Sequence, residues 1–476
     1  MNQKLTAPPS LETPTRVRYG VLGFACSLSM ITYLDRVCFG SAASSIIRDL
    51  GLHGEADLKW AFFAFAFAYA AFEVPSGWLG DVFGPRNVLI RIVLWWSFFT
   101  ALTGMVGLPL NGFTFGGIWL MVLVRLLFGM GEAGAYPNIT RALHNWFPFQ
   151  QRGFAQGAVW MSGRLMGGLT PIFWLLLVEG IQRIDLIDGA QVRTVLTMPL
   201  LTWRQTFYLF GVIGVGWCVL FALWFRNRPD QKPGVNKAEL ALIQEGRYDV
   251  GAGHGNVPWL KLLASGNLWC LCLMYFCAAY GWYFNITYLP RFLEQQGVDP
   301  KSLSGAVFKG GPLWLGAFAC LGGGWLSDAF IRRTGNRKWG RRLFGVIGHG
   351  LTSLFCLALV FTADPFYSFL AISLAAFCND LTMGSSWAVC QDIGRRYAAI
   401  VAGCMNTIGN LGGALAGWLT GEILHLTLAG VVPAQEAAAR RVGYQINFVT
   451  FAVAYAVAVA LWMRIDSTKP VVPEES

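Results

Sequence analysis

The chain has 476 residues, a mean hydropathy of +0.49 and only 13% charged residues. Ordinary globular chains carry about 25% charge, so the composition excludes a soluble domain as the bulk of the protein and indicates a membrane one. The net charge of +10 is dispersed through loops, which excludes a basic nucleic-acid-binding tail.

A membrane-spanning helix needs about 20 mainly apolar residues. Twelve segments qualify, at 18–47, 58–82, 86–106, 115–138, 152–179, 204–225, 265–293, 305–328, 341–362, 366–392, 397–424 and 443–464. The first twenty residues are polar, so no signal peptide is expected. With the N-terminus placed inside, the cytoplasmic pieces hold 23 of the 36 basic residues and the outer loops 10. That excess places both termini in the cytoplasm, and the protein as a multi-pass chain in a cell (inner) membrane. The expected organisation is a tail (1–17), a six-helix half (18–225), a cytoplasmic linker (226–264), a second six-helix half (265–464) and a second tail (465–476).

In the first span, "ITYLDR" (31–36) sets Asp35 beside Arg36. Helix neighbours point about 100° apart, so these two need not pair. The second span carries Tyr69 and Glu73 on one face and ends in "GWLGDVFGPR". There Asp81 is expected to pair with a base, Arg86, or to face another helix's N-terminus. The fourth span holds "RLLFGMGEAGAYP", whose Arg125 and Glu132 share a face about 10 Å apart along the axis. The fifth carries Arg164. In the linker, Asn236 reads as the N-cap of a short helix with Glu239 three residues on, a capping-box variant. The linker is expected to lie on the membrane surface.

The seventh span offers Tyr283, Asn285 and Tyr288. The eighth ends in "GWLSDAFIRR", where Asp328 is expected to pair with Arg332 or Arg333. The tenth carries Asn379, Asp380, Ser385 and Trp387, and the eleventh Asn406 and Asn410. His349, in the ninth span, reads as a packing residue. So do the eleven cysteines, which all fall in apolar segments without metal-ligand spacing.

An ionisable group at mid-bilayer costs at least about 2.5–3.5 kcal/mol on insertion scales and is functional by default. The set is Asp35, Arg36, Glu73, Arg125, Glu132, Arg164 and Asp380. Ion pairs that merely lock helices are the structural alternative; seven such groups together favour an aqueous cavity. Three arginines, always charged and shaped for carboxylates, point to an organic anion. Desolvated carboxylates, Asp35 or Glu132, point to a coupling proton. No Walker loop, nucleophile elbow or zinc pattern is present, so neither ATP-driven transport nor an enzyme is indicated, and no cofactor or metal is expected.

The chain also repeats itself. "ITYLDR" returns as "ITYLPR" (286–291), "GWLGD" (77–81) as "GWLSD" (324–328), and "GAVWMSGRLMGG" (157–168) resembles "GCMNTIGNLGGA" (403–414). The order is kept, so two six-helix halves related by duplication are expected, with a site between them. By this repeat Arg164 aligns with Asn410, and Glu132 with Asn379 and Asp380.

The paired "GWLGD…R" and "GWLSD…R" loops resemble the inter-helix signature of the major facilitator superfamily, although Val82 and Pro85 stand where basic residues are usual. "YLDR", "RLLFGMGEAGAYP" and "NRPDQKP" resemble the anion:cation symporter branch of that superfamily. The resemblance implies an all-α membrane fold of twelve helices in two pseudo-symmetric halves. It implies protonation at Asp35 and Glu132, carboxylate binding by Arg36, contact by Tyr69, and hydroxyl reading by Arg164 and by Asn406 or Asn410. The latch residues would be Asp81, Arg86, Asp328 and Arg332. Glu73 and Arg164 depart from the branch's pattern: they neutralise each other across the cavity, or Arg164 takes a second carboxylate and favours dicarboxylic acids.

The function expected is proton-coupled import of a sugar acid (hexonate, hexuronate or aldarate) by a monomer, with the lipid bilayer as surroundings and no nucleic-acid partner. An exchanger or exporter of organic anions is the alternative on the same fold. A transporter-like membrane sensor is the alternative of another class.

Overall fold

The computed structural model describes residues 12–52, 55–110, 113–180, 182–187, 190–195, 198–245, 257–298, 303–362 and 364–473. Parts of both expected tails and of the linker (1–11, 246–256 and 474–476) lie outside the described residues.

Besides short helices such as Ala43–Asp49 and Trp259–Leu263, the described residues form long helices, several of them interrupted, which group into twelve runs. In the first half these are α1 (Val17–Ser41), α2 (Glu55–Phe83), α3 (Pro85–Met105), α4 (Ile118–Glu132, continued by Ala135–Trp146), α5 (Arg152–Trp174) and α6 (Trp203–Trp224). In the second they are α7 (Gly266–Trp282, continued by Phe284–Thr287 and Leu289–Gln295), α8 (Leu303–Thr334), α9 (Arg337–Phe361), α10 (Pro365–Asp380, continued by Met383–Gly394), α11 (Ala398–Leu428) and α12 (Glu436–Arg464). Among the described residues, ten stretches are by length and hydropathy able to cross a bilayer, one of them the 64-residue run Pro365–Leu428 that holds both α10 and α11. The first segments of the interrupted helices α4, α10 and α7 have 15, 16 and 17 residues.

Local chemistry explains the breaks. Gly84 (φ 84°) turns the chain between α2 and α3, and Pro85 then opens α3 with its φ already helical. Gly134 (φ 84°) interrupts α4 immediately after Glu132, and α10 is interrupted immediately after Asp380. Glu132 and Asp380 are thus the last residues of two interrupted helices at equivalent places in the two halves.

Large apolar side chains such as Phe63, Phe67, Phe98, Phe318, Phe361 and Trp418 are exposed on the outside. A water-facing surface would avoid this, whereas a lipid-facing one requires it. The halves meet where α5 lies along α8 and α2 along α11. Glycines permit these approaches: a Cβ on Gly77 would sit 2.5 Å from the Ala399 carbonyl oxygen, and one on Gly157 2.3 Å from that of Cys320.

Three local features differ from the sequence expectation. Between α5 and α6, strands Gln182–Ile187 and Ala190–Val195 form an antiparallel hairpin, and a shorter one pairs Pro109–Leu110 with Phe113–Thr114. The alternating run around Asp188-Gly189 carries this signal in the sequence. The short linker helix Lys237–Gln244 begins at Asn236 as expected. Glu239, however, does not complete a capping box. Its carboxylate accepts from the backbone N–H groups of Val17 and Arg18 and pairs with the Arg18 guanidinium at 2.9 Å. It therefore caps α1, where an acid meets unpaired N–H groups and the positive end of the helix dipole. This part of the linker is docked on the bundle.

Candidate functional site

The first charged cluster joins α1, α2 and α4. Arg36 donates from Nε to Glu132 Oε1 at 2.6 Å, and its guanidinium lies 4.3 Å from the Tyr69 ring centroid. The Arg36 side chain keeps 26% exposure, whereas that of Glu132 keeps 1%. Arg36 Nη2 and Glu132 Oε2 are buried with no protein hydrogen-bond partner. Asp35 is buried, and neither of its oxygens has such a partner; its charged neighbours are Glu132 and Arg125. Arg125 sits in a cage of rings, with Phe39, Phe65 and Phe128 at 4.1, 4.6 and 4.6 Å from Cζ. Adjacent in sequence, Asp35 and Arg36 differ in their bonding: Arg36 bonds Glu132, whereas the oxygens of Asp35 have no such partner among the described residues. Glu132 is drawn to Arg36 from another helix, and Arg125, on its own helix face, is held by aromatic rings.

The second cluster joins the two halves. Arg164 on α5 makes a bidentate pair with Asp380 on α10, Nε to Oδ2 and Nη2 to Oδ1, both at 3.0 Å. Asn379 donates to Asp380 Oδ1 at 3.0 Å, and Arg164 Nη1 reaches the Tyr33 hydroxyl at 3.5 Å. The Trp282 ring centroid is 3.9 Å from the guanidinium carbon. The expected alternative, a pair between Arg164 and Glu73, is not what forms. Glu73 accepts instead from Asn406 Nδ2, from Thr407 Oγ1 at 3.3 Å and from Asn410 Nδ2 at 3.4 Å, all on α11.

The remaining candidates of the second half fall in different places. The Tyr283 hydroxyl donates to Asn410 Oδ1 at 3.1 Å, which brings it to the Glu73 group. The Tyr288 hydroxyl donates to the Gly417 carbonyl at 3.0 Å and tethers α7 to α11. Asn285 faces a void of about 20 Å³ within the second half, beside Thr352 and Tyr455. Trp387 is fully buried; with Tyr136 and Trp160, which stack at 4.6 Å, it forms an aromatic plug, Trp160 and Trp387 being 5.1 Å apart. Ser385 Oγ is buried without a partner. His349 accepts from Trp462 Nε1 and meets Thr382, a satisfied packing position.

At the end of the bundle carrying the termini, Asp81 and Asp328 make equivalent contacts across the halves. Asp81 accepts from the backbone N–H groups of Ala399 and Ile400 at the start of α11, and Asp328 from those of Gly153 and Phe154 at the start of α5. Each carboxylate caps a helix of the opposite half, where the dipole favours it. The bases differ from those expected. Asp81 meets Arg141 at 3.5 Å, while Arg86 donates to the carbonyls of Phe225 and Ala222 at the end of α6. Asp328 meets Arg341 at 2.7 Å, while Arg332 donates to the Gln150 carbonyl. Asp392 links Arg341 (3.1 Å) to Arg152 (2.9 Å) and completes the cluster. Arg141 is far from Asp81 in sequence, and Arg341, although only 13 residues from Asp328, lies on the next helix, so folding decides both pairings. The duplicated Asp was the one available signal.

Two helical halves joined by reciprocal caps at one end, with charge pairs buried between them, match a known architecture. A family model for the Major Facilitator Superfamily matches residues 25–417. The chain belongs to the major facilitator superfamily. Members are transporters, and this chain is not an enzyme.

Among its relatives, a probable sulfoacetate transporter of Cupriavidus necator is 32% identical, covering 87% of this chain and 88% of the relative. A probable galactarate/D-glucarate transporter of Escherichia coli is 27% identical over 90% of this chain and 91% of the relative. A D-galactonate transporter of the same species is 26% identical over 85% and 89%. The superfamily fold is also seen in the solved structure of a proton:xylose symporter bound to 6-bromo-6-deoxy-D-glucose (TM-score 0.68, 14% identity, 95% of this chain and 96% of that one).

Proposed function

We propose that this superfamily transporter imports a sugar acid together with protons, by alternating access to a site built around Arg36 and Glu132. One observation carries the reading: a half-buried arginine, partly open to solvent, is held by a buried carboxylate that has one oxygen unmatched. An incoming carboxylate competes for the guanidinium. The displaced Glu132, at the negative end of its helix segment and out of water, takes a proton. Substrate and proton thereby load together. The compounds for which the relatives are named, sulfoacetate, galactarate, glucarate and galactonate, are all small organic anions and support the anion class.

Within this reading the termini lie in the cytoplasm, as the basic loops indicate, and the protein acts as a monomer in the inner membrane. The caps made by Asp81 and Asp328 then close the cytoplasmic end, with the aromatic plug between them and the site. Opening that end requires both caps to leave their helices, which is the rocking of one half against the other. Tyr69 orients Arg36, and Asn406 and Asn410 read hydroxyl groups when Glu73 releases them.

The test is uptake of radiolabelled D-glucarate and D-galactonate into proteoliposomes, with the outside more acid than the inside and with no gradient. Accumulation that follows the gradient is expected. Uptake indifferent to it removes the coupling, and uptake of neither acid, with galactarate and sulfoacetate also inert, removes the substrate class.

A further inference from the structure

We propose that the Arg164–Asp380 pair is a second carboxylate cradle, filled by the protein's own acid until a substrate with two acid groups displaces it, and that this displacement adds one proton to the transport cycle. The inference rests on the reading of Arg36 and Glu132 as the first cradle and names the substrate class: short-chain dianions with an acid group at each end.

The geometry repeats between the halves. In each, a helix is interrupted immediately after an acid, Glu132 on α4 and Asp380 on α10. Each acid is held by an arginine from a different helix, Arg36 on α1 and Arg164 on α5. The second site is the better built. Its guanidinium presents two parallel bonds to one carboxylate at 3.0 Å, Asn379 adds a third donor, and the Trp282 ring covers the cation at 3.9 Å. A bidentate fork with a further N–H donor is a carboxylate receptor, and here a carboxylate already occupies it, so the fit of such a group is on display. Tyr33, which Arg164 reaches, lies three residues before Arg36 on α1. Tyr33 and Arg36 are about one helical turn apart, so both cradles border the same stretch of α1.

Charge balance gives the proton. A second substrate carboxylate that takes Arg164 leaves Asp380 with Asn379 alone. Its other neighbours, Tyr33 on α1, Tyr275 on α7, Cys320 on α8 and Tyr455 on α12, carry no positive charge. A carboxylate left unpaired in a dry interior, at the negative end of a helix segment, is stable only as the acid. A proton from water forms the O–H bond on Asp380. It returns to water on the other side when substrate leaves and the pair re-forms. At the first cradle Glu132 faces Arg36, Arg125, Asp35, Tyr69 and Tyr136, and its exchange is common to mono- and dianions. A monoanion leaves Arg164 and Asp380 paired.

Titration calorimetry of the purified full chain, in two buffers of different ionisation enthalpy, counts protons taken up per molecule bound. The probes are D-glucarate and D-gluconate, which differ only in the terminal acid, with sulfoacetate as a third. Wild type is expected to take up about one more proton with glucarate than with gluconate. In Asp380→Asn that difference disappears while both acids still bind, and in Asp380→Glu it returns. Equal counts in wild type, or a difference that survives in Asp380→Asn, overturn this inference and leave the first cradle standing. Should Asp380→Asn fail to fold, the wild-type comparison and Asp380→Glu still decide. If none of the three acids binds, the reading of the first cradle falls as well, and this inference with it.

Discussion

Two buried clusters of arginine and acid stand in the same bundle, and they are satisfied to different degrees. At the terminus-bearing end, Asp328 accepts from two backbone N–H groups and from Arg341, and Arg341 spends all three of its nitrogens on Asp328, Ser327, Asp392 and the Phe149 carbonyl. In the central cluster both oxygens of Asp35, Oε2 of Glu132, Nη2 of Arg36 and Nε of Arg125 are buried with no protein partner. The carboxylates are buried in both clusters and only the Arg36 side chain keeps appreciable exposure, 26%, so burial alone does not separate the roles. A cluster matched except at Nε of Arg152 holds helices together. A cluster with unmatched donors and acceptors retains the capacity to bind something else, at a standing cost in stability.

The contrast is broken most severely by Arg341→Met. It leaves Asp328 with two backbone N–H donors and no counter-charge, and Asp392 with Arg152 alone, and a loss of about 3–5 kcal/mol of stability is expected, read as a fall in melting temperature in detergent. Next in size is Arg36→Ala, expected to cost binding about 2–5 kcal/mol while moving the melting temperature far less than Arg341→Met; tryptophan quenching by titrated acids checks it. Retained affinity would place the carboxylate elsewhere. Glu132→Gln keeps a neutral group at Arg36, so counterflow in preloaded vesicles should persist while gradient-driven accumulation is lost.

The two caps allow a finer comparison. Asp81 meets its base at 3.5 Å and Asp328 at 2.7 Å, so Asp81→Asn should destabilise the closed end by about 1 kcal/mol and Asp328→Asn by more. Cysteine labelling of the closed end, rising in both variants and further in the second, reports it. The smallest effect belongs to Asp35→Asn. The oxygens of Asp35 make no well-formed hydrogen bond and only neighbour the Thr100 hydroxyl, so the melting temperature should hold or rise slightly.

Much of this was legible before folding. Apolar runs about 20 residues long specify membrane helices because no other short structure satisfies its backbone in lipid. The repeat of "GWLGD" as "GWLSD" specified the duplicated halves, and charges inside apolar runs marked the central residues, because lipid tolerates charge only for a reason. What periodicity does not encode is which helix comes to lie beside which. That Glu73 meets Asn406 and not Arg164, that Asp81 meets Arg141 and not Arg86, and that Asp380 rather than an open cavity receives Arg164 depend on contacts between helices far apart in the chain. Tertiary packing settled those pairings, since a buried charge takes whatever counter-charge or donor the closed bundle sets within about 3 Å.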